Sequence, residues 1–362
     1  MKPLKEFREL QIYFKGRNAW DNSLPGPIRN TTLSITYRCN ARCSMCRIWE
    51  HPSADPESEL TLQEIEKIAN SKYFKKLIAL GITGGEPFIR EDLPAIVEIW
   101  DKTSGFSYMS LATNGLLPER IEKLVPGILE KTKREIWLNV SIDALDERHD
   151  EIRGVPGALD KADETLNVLK DISRKYSNLN LGILYTMMPE NIDQLMPVYQ
   201  LANNNSIQFT MNVLNQGEIY YCNQGLKPKT VYEPYLDKIK KQFDAWRKAD
   251  PNNTFASEMR NLFFEYIEGP ANKPVIPCYS GFTSVFISPL GEVYPCVPAS
   301  QGLFMGNIRE QEFDDIWESE NAKKVRDMIK EGCCKCLITC ETANSLKFQP
   351  DYLRRRLKGF FR

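Results

Sequence analysis

The sequence is poor in histidine, in long apolar segments and in net charge. Only two of its 362 residues are histidines, His51 and His149, so chemistry based on imidazole is scarcely provided for. No apolar run reaches the ~18 residues that a membrane-spanning helix needs. The start of the chain lacks the apolar segment and the cleavage site of a signal peptide. A formal net charge of −1 creates no global field that would attract nucleic acid.

These absences limit the class and the location of the protein. A hydrophobic content of 42% and a charged content of 26% fit a globular protein with a solvated surface. The length fits one large domain with a smaller one. We expect a cytoplasmic protein that has no nucleic-acid partner. Thiols stay reduced there, so clustered cysteines serve as metal ligands or catalytic groups more often than as disulfides.

Cysteine is the reactive residue that the sequence does supply. Three of the ten cysteines, Cys39, Cys43 and Cys46, share the short stretch CNARCSMC with C-x3-C-x2-C spacing. Structural zinc takes four ligands, and three thiols cannot all pair as disulfides. Three thiolates can instead hold three irons of a 4Fe–4S cube, which leaves the fourth iron open to bind substrate or cofactor.

Segments rich in β-branched residues alternate with amphipathic segments over the first two thirds of the chain. The predicted strands are 31–38, 77–83, 108–115, 136–143, 179–188 and 207–214. This alternation specifies βαβ units and a parallel sheet. Six units are fewer than the eight of a full barrel, so the predicted fold class is α/β with a partial (β/α)6 barrel. The functional groups of such barrels lie at the carboxyl ends of the strands.

Composition also predicts how the chain is divided. The Pro- and Gly-rich stretch 269–277 marks a boundary, and a hairpin with its turn at 289–291 follows it. We expect a helix interrupted near Pro126 and a single helix over 312–332. The predicted units are an N-terminal extension (1–30), the barrel (31–225), a helical linker (226–270), a small C-terminal module of hairpin and helix (271–345) and a basic amphipathic tail (346–362).

The three-cysteine spacing after the first strand of an α/β barrel resembles that of the radical S-adenosylmethionine (SAM) enzymes. The resemblance implies that Cys39, Cys43 and Cys46 hold a 4Fe–4S cluster whose open iron binds SAM. It implies reductive cleavage of SAM to a 5′-deoxyadenosyl radical, which abstracts a hydrogen atom from the substrate. It also implies an electron donor such as flavodoxin or ferredoxin.

Other segments at predicted strand ends resemble the SAM-binding motifs of this family. GITGGEP (81–87) is similar to the glycine-rich motif that contacts the methionine amino group of SAM. Gly84 and Gly85 allow close backbone approach, and Glu86 is the expected charge partner of the ammonium. Read alone, the two glycines are equally typical of a tight turn.

The remaining cofactor contacts come from four later segments and from Met45 in the cysteine stretch. The resemblance implies that Ser141 and Asp143 contact the ribose, that Arg153 binds the SAM carboxylate and that residues 182–189 line the adenine. Asn114 belongs to the TNG segment at the third strand end, and Met45 takes a position near adenine that is often aromatic in the family. Alone, Asp143 could be a helix N-cap and Arg153 a surface salt bridge.

A second group of cysteines lies in the C-terminal part of the chain. Cys278 and Cys296 form C-x12-G-x4-C, and a C-x2-C-x3-C group follows. The pattern resembles the auxiliary-cluster extension of the family, called SPASM in its long form and Twitch in its short form. The number of candidate ligands favours the short form with one auxiliary 4Fe–4S cluster, and structural zinc is the alternative. The candidate ligands are Cys278, Cys296, Cys333, Cys336 and Cys340, and which of 333, 334, 336 and 340 are spare stays open.

Two further features concern the substrate. Cys222 follows the sixth predicted strand and is a candidate catalytic thiol that donates a hydrogen atom to a substrate radical, although a buried small hydrophobe is the alternative. The tail DYLRRRLKGFFR could form a basic amphipathic helix on an anionic membrane surface, or simply a frayed terminus.

The substrate itself is not encoded in any motif. The basic tail favours a lipid, a lipid-linked sugar or a small metabolite as the substrate. Modification of a peptide or protein is the second possibility, and we expect it less because only about thirty residues precede the first strand. A third possibility is a non-catalytic metal-binding scaffold.

Overall fold

A single open sheet of nine strands organises the molecule. The computed structural model describes residues 2–251, 254–269 and 274–350, with sheet order β6-β5-β4-β3-β2-β1-β7-β8-β9. Strands β1 to β6 pair in parallel, and the barrel they begin does not close, which confirms the predicted fold class. The strands are β1 (Asn30–Ser34), β2 (Ala79–Thr83), β3 (Tyr108–Thr113), β4 (Glu135–Ser141), β5 (Leu179–Met187), β6 (Gln208–Val213), β7 (Ser284–Ile287), β8 (Glu292–Tyr294) and β9 (Gly306–Asn307).

The first strand ends earlier than the sequence pattern predicts. β1 stops at Ser34, and residues 35–38 leave the regular ladder. They still hydrogen-bond to the segment after β2, since the backbone N–H of Gly85 donates to the Thr36 carbonyl and that of Glu86 to the Arg38 carbonyl. The chain therefore carries its first cysteine directly beside the turn that follows β2.

Helices cover the outer face of the sheet and link its strands. The second of them begins with a capping box in which Thr61 and Glu64 each bond the other's backbone N–H. The helices are α1 (Lys2–Asp21), α2 (Leu62–Ala69), α3 (Leu93–Thr103), α4 (Pro118–Lys131), α5 (Arg148–Arg153), α6 (Ala158–Ser173), α7 (Leu195–Asn204), α8 (Pro228–Tyr232), α9 (Leu236–Ala249), α10 (Thr254–Glu268), α11 (Phe313–Glu318), α12 (Glu320–Lys330) and α13 (Thr339–Leu346).

Two of the helix predictions are wrong. α4 runs without interruption through Pro126, because its buried face on α3 and α6 outweighs the one hydrogen bond that proline removes. The segment predicted as one helix over 312–332 is two helices. It breaks at Ser319, whose backbone is extended and whose hydroxyl accepts from the Ala322 N–H at 3.0 Å to cap α12.

The interior of the incomplete barrel is a cavity. Side chains of branched apolar residues fill the interior of a closed (β/α)8 barrel. Here small residues such as Gly81, Ser110 and Ala112 face inward, and they leave a cavity of about 780 Å³. The cavity runs from the amino ends of the strands, at Glu135, to Cys46 beyond their carboxyl ends. We call this cavity the lumen.

The C-terminal module continues the barrel sheet. β7 pairs in parallel with β1, from Asn30 opposite Ser284 to Leu33 opposite Ile287. β7 and β8 form the predicted antiparallel hairpin. At the other edge of the barrel sheet, the Thr339 hydroxyl in α13 donates to the Met211 carbonyl of β6 at 3.2 Å. The module thus contacts both edges of the six-stranded barrel sheet and bounds one side of the lumen.

The first helix packs on the same module. The Trp20 indole N–H of α1 donates to the Cys278 carbonyl at 2.9 Å, and Arg17 donates to the Tyr279 hydroxyl at 3.1 Å. Among the described residues, no helix combines the length and the apolar character needed to cross a bilayer. The predicted membrane-binding segment of the tail, residues 351–362, lies outside the residues that the structure describes.

Candidate active site

The loop that carries the first three cysteines follows β1 and gathers hydrogen-bond donors at its sulfur atoms. The Ala41 backbone N–H donates to Cys39 Sγ at 3.4 Å, and the Asn114 amide reaches the same sulfur at 3.8 Å. Arg153 Nη1 lies 3.9 Å from Cys43 Sγ. N–H groups directed at sulfur stabilise thiolates and tune iron–sulfur clusters. These surroundings therefore fit anionic thiolate ligands.

Burial favours the protonated form of two of these three thiols. It raises the pKa of Cys39 to about 11 and that of Cys46 to about 12. No three Cys, His, Asp or Glu side chains in the described ranges converge as they would on one metal ion. A 4Fe–4S cube makes no such demand, because each of its three cysteines binds a different iron. Loading the cluster must displace the thiol protons, so cluster assembly is coupled to pH.

The turn after β2 presses against this loop and admits only glycine. A Cβ on Gly85 would lie 2.1 Å from the Arg38 carbonyl oxygen, and one on Gly84 would lie 2.6 Å from that of Thr36. Both distances are far below contact, so any side chain here would push the turn away from the cysteine loop. The close backbone approach predicted for these glycines is thus present, and it is directed at the cysteine loop.

Glu86 is fully buried in that turn and is surrounded by donors. Its carboxylate accepts from the Thr113 hydroxyl at 2.9 Å, from the Asn114 N–H at 2.7 Å and from the Phe88 N–H at 3.2 Å. Burial nevertheless raises its pKa to about 7. Glu86 thereby fastens the end of β3 to the turn after β2. Whether it also meets the SAM ammonium stays a prediction.

Asn114 connects β3 to the cysteine loop. Its side-chain amide donates to Asn40 Oδ1 at 2.8 Å, and its Oδ1 accepts from the Leu116 N–H at 2.9 Å. With the 3.8 Å approach to the Cys39 sulfur, one side chain orders both loops. The sequence pattern selected this residue for SAM contact and gave no hint of the link.

Asp143 and Arg153 form a buried ion pair at the end of β4. Arg153 Nη2 lies 2.6 Å from Asp143 Oδ2, and their side chains are 8% and 0% exposed. Asp143 Oδ1 accepts from the Thr186 N–H at 2.8 Å. The Asp143 N–H donates to His149 Nδ1 at 3.1 Å, and burial followed by the Arg153 charge lowers the pKa of His149 to about 3. The histidine is therefore neutral.

The structure thus brings Arg153 between Asp143 and Cys43. The sequence pattern assigned Arg153 to the SAM carboxylate and Asp143 to the ribose, and those assignments stay predictions. Ser141 is the last residue of β4 and is half-buried. Met45 lines the lumen beside Cys46, and its carbonyl accepts from the Asn223 amide at 2.9 Å.

The lumen wall is mainly apolar, with neutral polar and aromatic side chains set into it. Trp137 and Tyr108 provide large flat surfaces on one wall. Asn139 donates to the Ser110 hydroxyl and to the Trp137 carbonyl, each at 3.1 Å. Six side-chain amides line the cavity, and they belong to Asn30, Asn139, Gln208, Asn212, Asn215 and Asn344. Asn139, Asn215 and Asn344 already donate within the protein. Amides both donate and accept, so the other three give an otherwise apolar wall hydrogen-bonding groups for a ligand.

The second cysteine group lies around the start of α13. Burial raises the pKa of Cys336 to about 11 and that of Cys278 to about 12, and the Cys336 charge raises the latter further. A cavity of about 500 Å³ is lined by Cys296, Cys333, Cys334 and Cys336. The sulfurs of Cys333 and Cys334 are 3.4 Å apart. The group fits an iron–sulfur site, and Cys340 beside it also lines the lumen.

Glu341 is a residue of this region that sequence reasoning missed. Its buried carboxylate accepts from the Ser280 and Ser284 hydroxyls at 2.9 and 2.6 Å, and it lines the lumen next to Cys340. Only its adjacency to a cysteine could have marked it in the sequence.

Cys222 does not line the lumen. It is half-buried in the loop after β6, and its Sγ lies 3.8 Å from the Ile219 carbonyl oxygen. Its backbone has φ 50°, a left-handed conformation that is uncommon for a residue with a side chain. The hydrogen-donor role predicted for this thiol would require access to a substrate in the lumen. The residues of this loop that line the lumen beside it are Tyr220 and Tyr221 instead.

The sequence matches two protein-family models. The Radical SAM superfamily model matches residues 33–202, and SPASM, an iron–sulfur cluster-binding domain, matches residues 278–341. This chain therefore belongs to the radical SAM superfamily and is an enzyme with a C-terminal SPASM domain. The predicted SAM, 4Fe–4S cluster and auxiliary iron–sulfur binding are confirmed at the level of these domains. A non-catalytic scaffold has no support.

Alignments with two related proteins cover most of the chain. The antilisterial bacteriocin subtilosin biosynthesis protein AlbA of Bacillus subtilis is 23% identical over 84% of this chain. The chain spans only 62% of that protein's length. The AdoMet-dependent heme synthase of Methanosarcina barkeri is 27% identical over 88% of this chain and 92% of its own length.

Solved structures of low identity share the fold. Streptococcus suis SuiB bound to the precursor peptide SuiA aligns with a TM-score of 0.59 and 14% identity, over 85% of this chain and 68% of SuiB. Native anSMEcpe with bound AdoMet and the Cp18Cys peptide aligns with a TM-score of 0.59 and 17% identity, over 92% of this chain and 100% of anSMEcpe. The likeness confirms the partial barrel with a C-terminal extension.

Proposed function

We propose that this enzyme modifies a peptide or protein, and that the residue to be modified enters the lumen. The size and the lining of the lumen are the observation that supports this proposal. It is about 780 Å³, it is lined by six side-chain amides, and it has Cys46 of the first cysteine group and Cys340 of the second in its wall. A peptide backbone offers alternating N–H and C=O groups, which amide side chains can match.

The relatives support a peptide over the lipid or small metabolite that the sequence favoured. Solved structures with this fold contain a peptide, among them SuiB with the precursor peptide SuiA and anSMEcpe with bound AdoMet and the Cp18Cys peptide. AlbA is named for the biosynthesis of a bacteriocin. The lipid hypothesis rested on the tail 351–362, which lies outside the described residues.

The chemistry would follow that of the superfamily. When bound, the cluster supplies an electron that cleaves SAM to methionine and a 5′-deoxyadenosyl radical, which takes a hydrogen atom from a substrate carbon. The electron would come from a protein such as flavodoxin or ferredoxin. The chain's own contribution is to hold the reactants: Cys39, Cys43 and Cys46 bind the cluster, and the lumen wall excludes water and orients the target carbon.

A selection experiment tests the substrate class. The reconstituted enzyme, SAM and a reductant are incubated anaerobically with a randomised peptide library displayed on its encoding nucleic acid, and modified members are identified by mass. We expect a subset of peptides to change mass and to raise 5′-deoxyadenosine formation above the peptide-free level. Deoxyadenosine formation that no peptide stimulates would contradict a peptide substrate while leaving the superfamily assignment intact.

A small flat metabolite is the second candidate, because the heme synthase relative matches almost its whole length to this chain. Trp137 and Tyr108 offer aromatic surfaces for such a ligand. Titration with an iron-free porphyrin distinguishes the flat metabolite from the peptide, with quenching of the porphyrin fluorescence as the readout of binding. Binding that disappears in Trp137→Ala and persists in Trp246→Ala, a tryptophan outside the lumen lining, would favour the metabolite over the peptide.

A further inference from the structure

The loop between β6 and α8, residues 214–227, contacts three functional parts of the molecule. We call it the bridging loop. The Tyr220 hydroxyl donates to the Gly84 carbonyl at 2.7 Å and lies 2.8 Å from the Thr83 hydroxyl, which can donate to it. This places one buried tyrosine on the glycine-rich turn that is predicted to bind SAM.

The same loop is fastened to the cysteine loop. The Asn223 amide donates to the Met45 carbonyl at 2.9 Å, and the Arg47 N–H donates to the Tyr221 carbonyl at 2.8 Å. Met45 and Arg47 flank Cys46, so these two bonds fix the backbone on both sides of a predicted cluster ligand.

A third contact reaches the C-terminal module. The Glu218 carboxylate accepts from the Gln301 N–H at 2.9 Å. Gly217 is pressed against Pro298, since a Cβ on this glycine would lie 3.2 Å from the Pro298 Cα. Pro298 follows Cys296 by two residues, so the loop touches the module close to the auxiliary cysteines.

Asn223 holds the loop in its unusual shape. Its Oδ1 accepts from the Gly217 N–H at 2.9 Å, and its amide donates to the Asn215 carbonyl at 3.0 Å as well as to Met45. It is 8% exposed. The preceding residue, Cys222, has the left-handed φ of 50° that turns Asn223 inward. The hydrogen bonds of Asn223 therefore hold the strained backbone at Cys222 in place.

We propose that Tyr220 and Asn223 are positioning residues that make SAM binding depend on the C-terminal module. This rests on the function proposed above, because it takes the turn at 84–86 and the cysteine loop as the SAM site. The bridging loop is the connection: it bonds both SAM-site loops on one side and the module, through Glu218, on the other. A ligand or cluster that orders the module would order the loop and, through it, the SAM site.

The first test removes one hydroxyl. In Tyr220→Phe the ring can keep its edge contact with Phe286, at 5.8 Å between centroids, while the two bonds to the turn are lost. The dissociation constant for SAM, measured by equilibrium dialysis on the anaerobically reconstituted enzyme, should rise about tenfold. Tyr73→Phe is the matched control, because it removes a 2.8 Å hydroxyl bond to Glu318 far from the lumen. It should leave the constant within about twofold.

A local readout separates positioning from general destabilisation. Hydrogen–deuterium exchange on metal-free Tyr220→Phe should speed up at residues 81–87, while β4 keeps the wild-type rate. Asn223→Asp retains the acceptor and loses the donor, so it should speed exchange at residues 43–47 instead. Uniformly faster exchange in both variants would overturn the positioning role.

A double-mutant cycle tests the dependence on the module. Glu218→Ala should weaken SAM binding several-fold in the wild-type background and have little further effect in Tyr220→Phe, since both act through one loop. Equal effects in both backgrounds would overturn the coupling. A wild-type protein that fails to bind SAM would overturn the proposed function, whereas wild-type binding with an unchanged Tyr220→Phe constant overturns this inference alone.

Discussion

Among single residues, three side chains beside the first cysteine group each join two segments of the site. Glu86, Asn114 and Arg153 were selected as partners of a bound nucleotide. In the structure each of them also bonds another part of the site: Glu86 holds β3, Asn114 holds the cysteine loop and Arg153 holds Asp143. These contacts join residues between 10 and 74 positions apart, so spacing within a motif cannot reveal them.

The buried carboxyl of Glu86 gives the stability of the metal-free protein a pH dependence. Burial raises its pKa from 4.5 to about 7, so the folded state holds the proton more tightly than the unfolded state does. Stability from this group is full below about pH 4.5 and declines as pH rises through 7, by about 3 kcal/mol in all. Urea unfolding of wild type and Glu86→Gln between pH 5 and 8 should show a difference that changes with pH over this window. A pH-independent difference would refute the buried titration.

The Asp143–Arg153 pair predicts a strong asymmetry between variants. Arg153→Met leaves the carboxylate of Asp143 buried with no cation, which should cost about 3–5 kcal/mol of unfolding free energy. The double variant Arg153→Met/Asp143→Asn removes both charges and should recover much of that loss. Chemical denaturation of the metal-free proteins measures both. A double variant as unstable as the single one would show that the charge pair is not the source of the cost.

At the scale of elements, the order of strands and helices followed from the alternating pattern, while long-range pairing did not. All six barrel strands overlap the predicted segments, although β1 ends four residues early, and Thr61 caps α2 as its capping box indicated. The pairing of β7 with β1 joins segments some 250 residues apart in sequence. Nothing local in the hairpin specifies its partner, which is why the module looked separate from the barrel.

That pairing implies that the barrel is incomplete without the module. A chain ending at Gly269 would expose the edge of β1 and the side of the lumen bounded by α13. Unpaired strand edges promote association between chains. We expect this truncation to aggregate in size-exclusion chromatography, and a chain ending at Pro350 to remain dispersed. A well-folded, monodisperse product of the shorter truncation would contradict the shared sheet.

The auxiliary cysteines predict a definite metal content. Two 4Fe–4S cubes give about eight irons per chain, and loss of one gives about four. Cys278→Ala should lower the count to about four, because Cys278 lies buried among the second group. Cys334→Ala should keep about eight, because Cys334 is outside the candidate ligand set, and a fall to about four would identify it as a ligand. Iron and sulfide analysis after anaerobic reconstitution measures the number of irons per chain. About twelve irons in the wild-type chain would indicate two auxiliary clusters.

At the scale of the whole molecule, the site arises from what the barrel leaves unfilled. Small inward residues on β2 and β3 create the lumen, and α13 of the SPASM domain bounds it. The sequence shows the small residues, with Gly81 in β2 and with Ser110 and Ala112 at alternate positions of β3. It does not show that the space between them stays open, because that depends on strands and a helix brought together from most of the chain.

Filling the lumen should separate substrate binding from SAM cleavage. A Cβ at Gly81 meets only ordinary contacts, the nearest at 3.4 Å, so Gly81→Ala should be tolerated. Gly81→Leu places a branched side chain in the cavity and should lower peptide modification at least tenfold while peptide-independent deoxyadenosine formation continues. Product analysis by mass spectrometry measures both. Equal loss of both activities in Gly81→Leu would argue against the lumen as the substrate site.

In the proposed reaction, a peptide carbon in the lumen gives its hydrogen atom to the radical made from SAM. The most direct measurement is the mass of the 5′-deoxyadenosine formed with a selected peptide whose non-exchangeable hydrogens are all deuterium. One deuterium in each deoxyadenosine, together with the mass change of the peptide, is the expected result. Unlabelled deoxyadenosine formed beside an unchanged peptide would contradict hydrogen-atom transfer from the peptide to this radical.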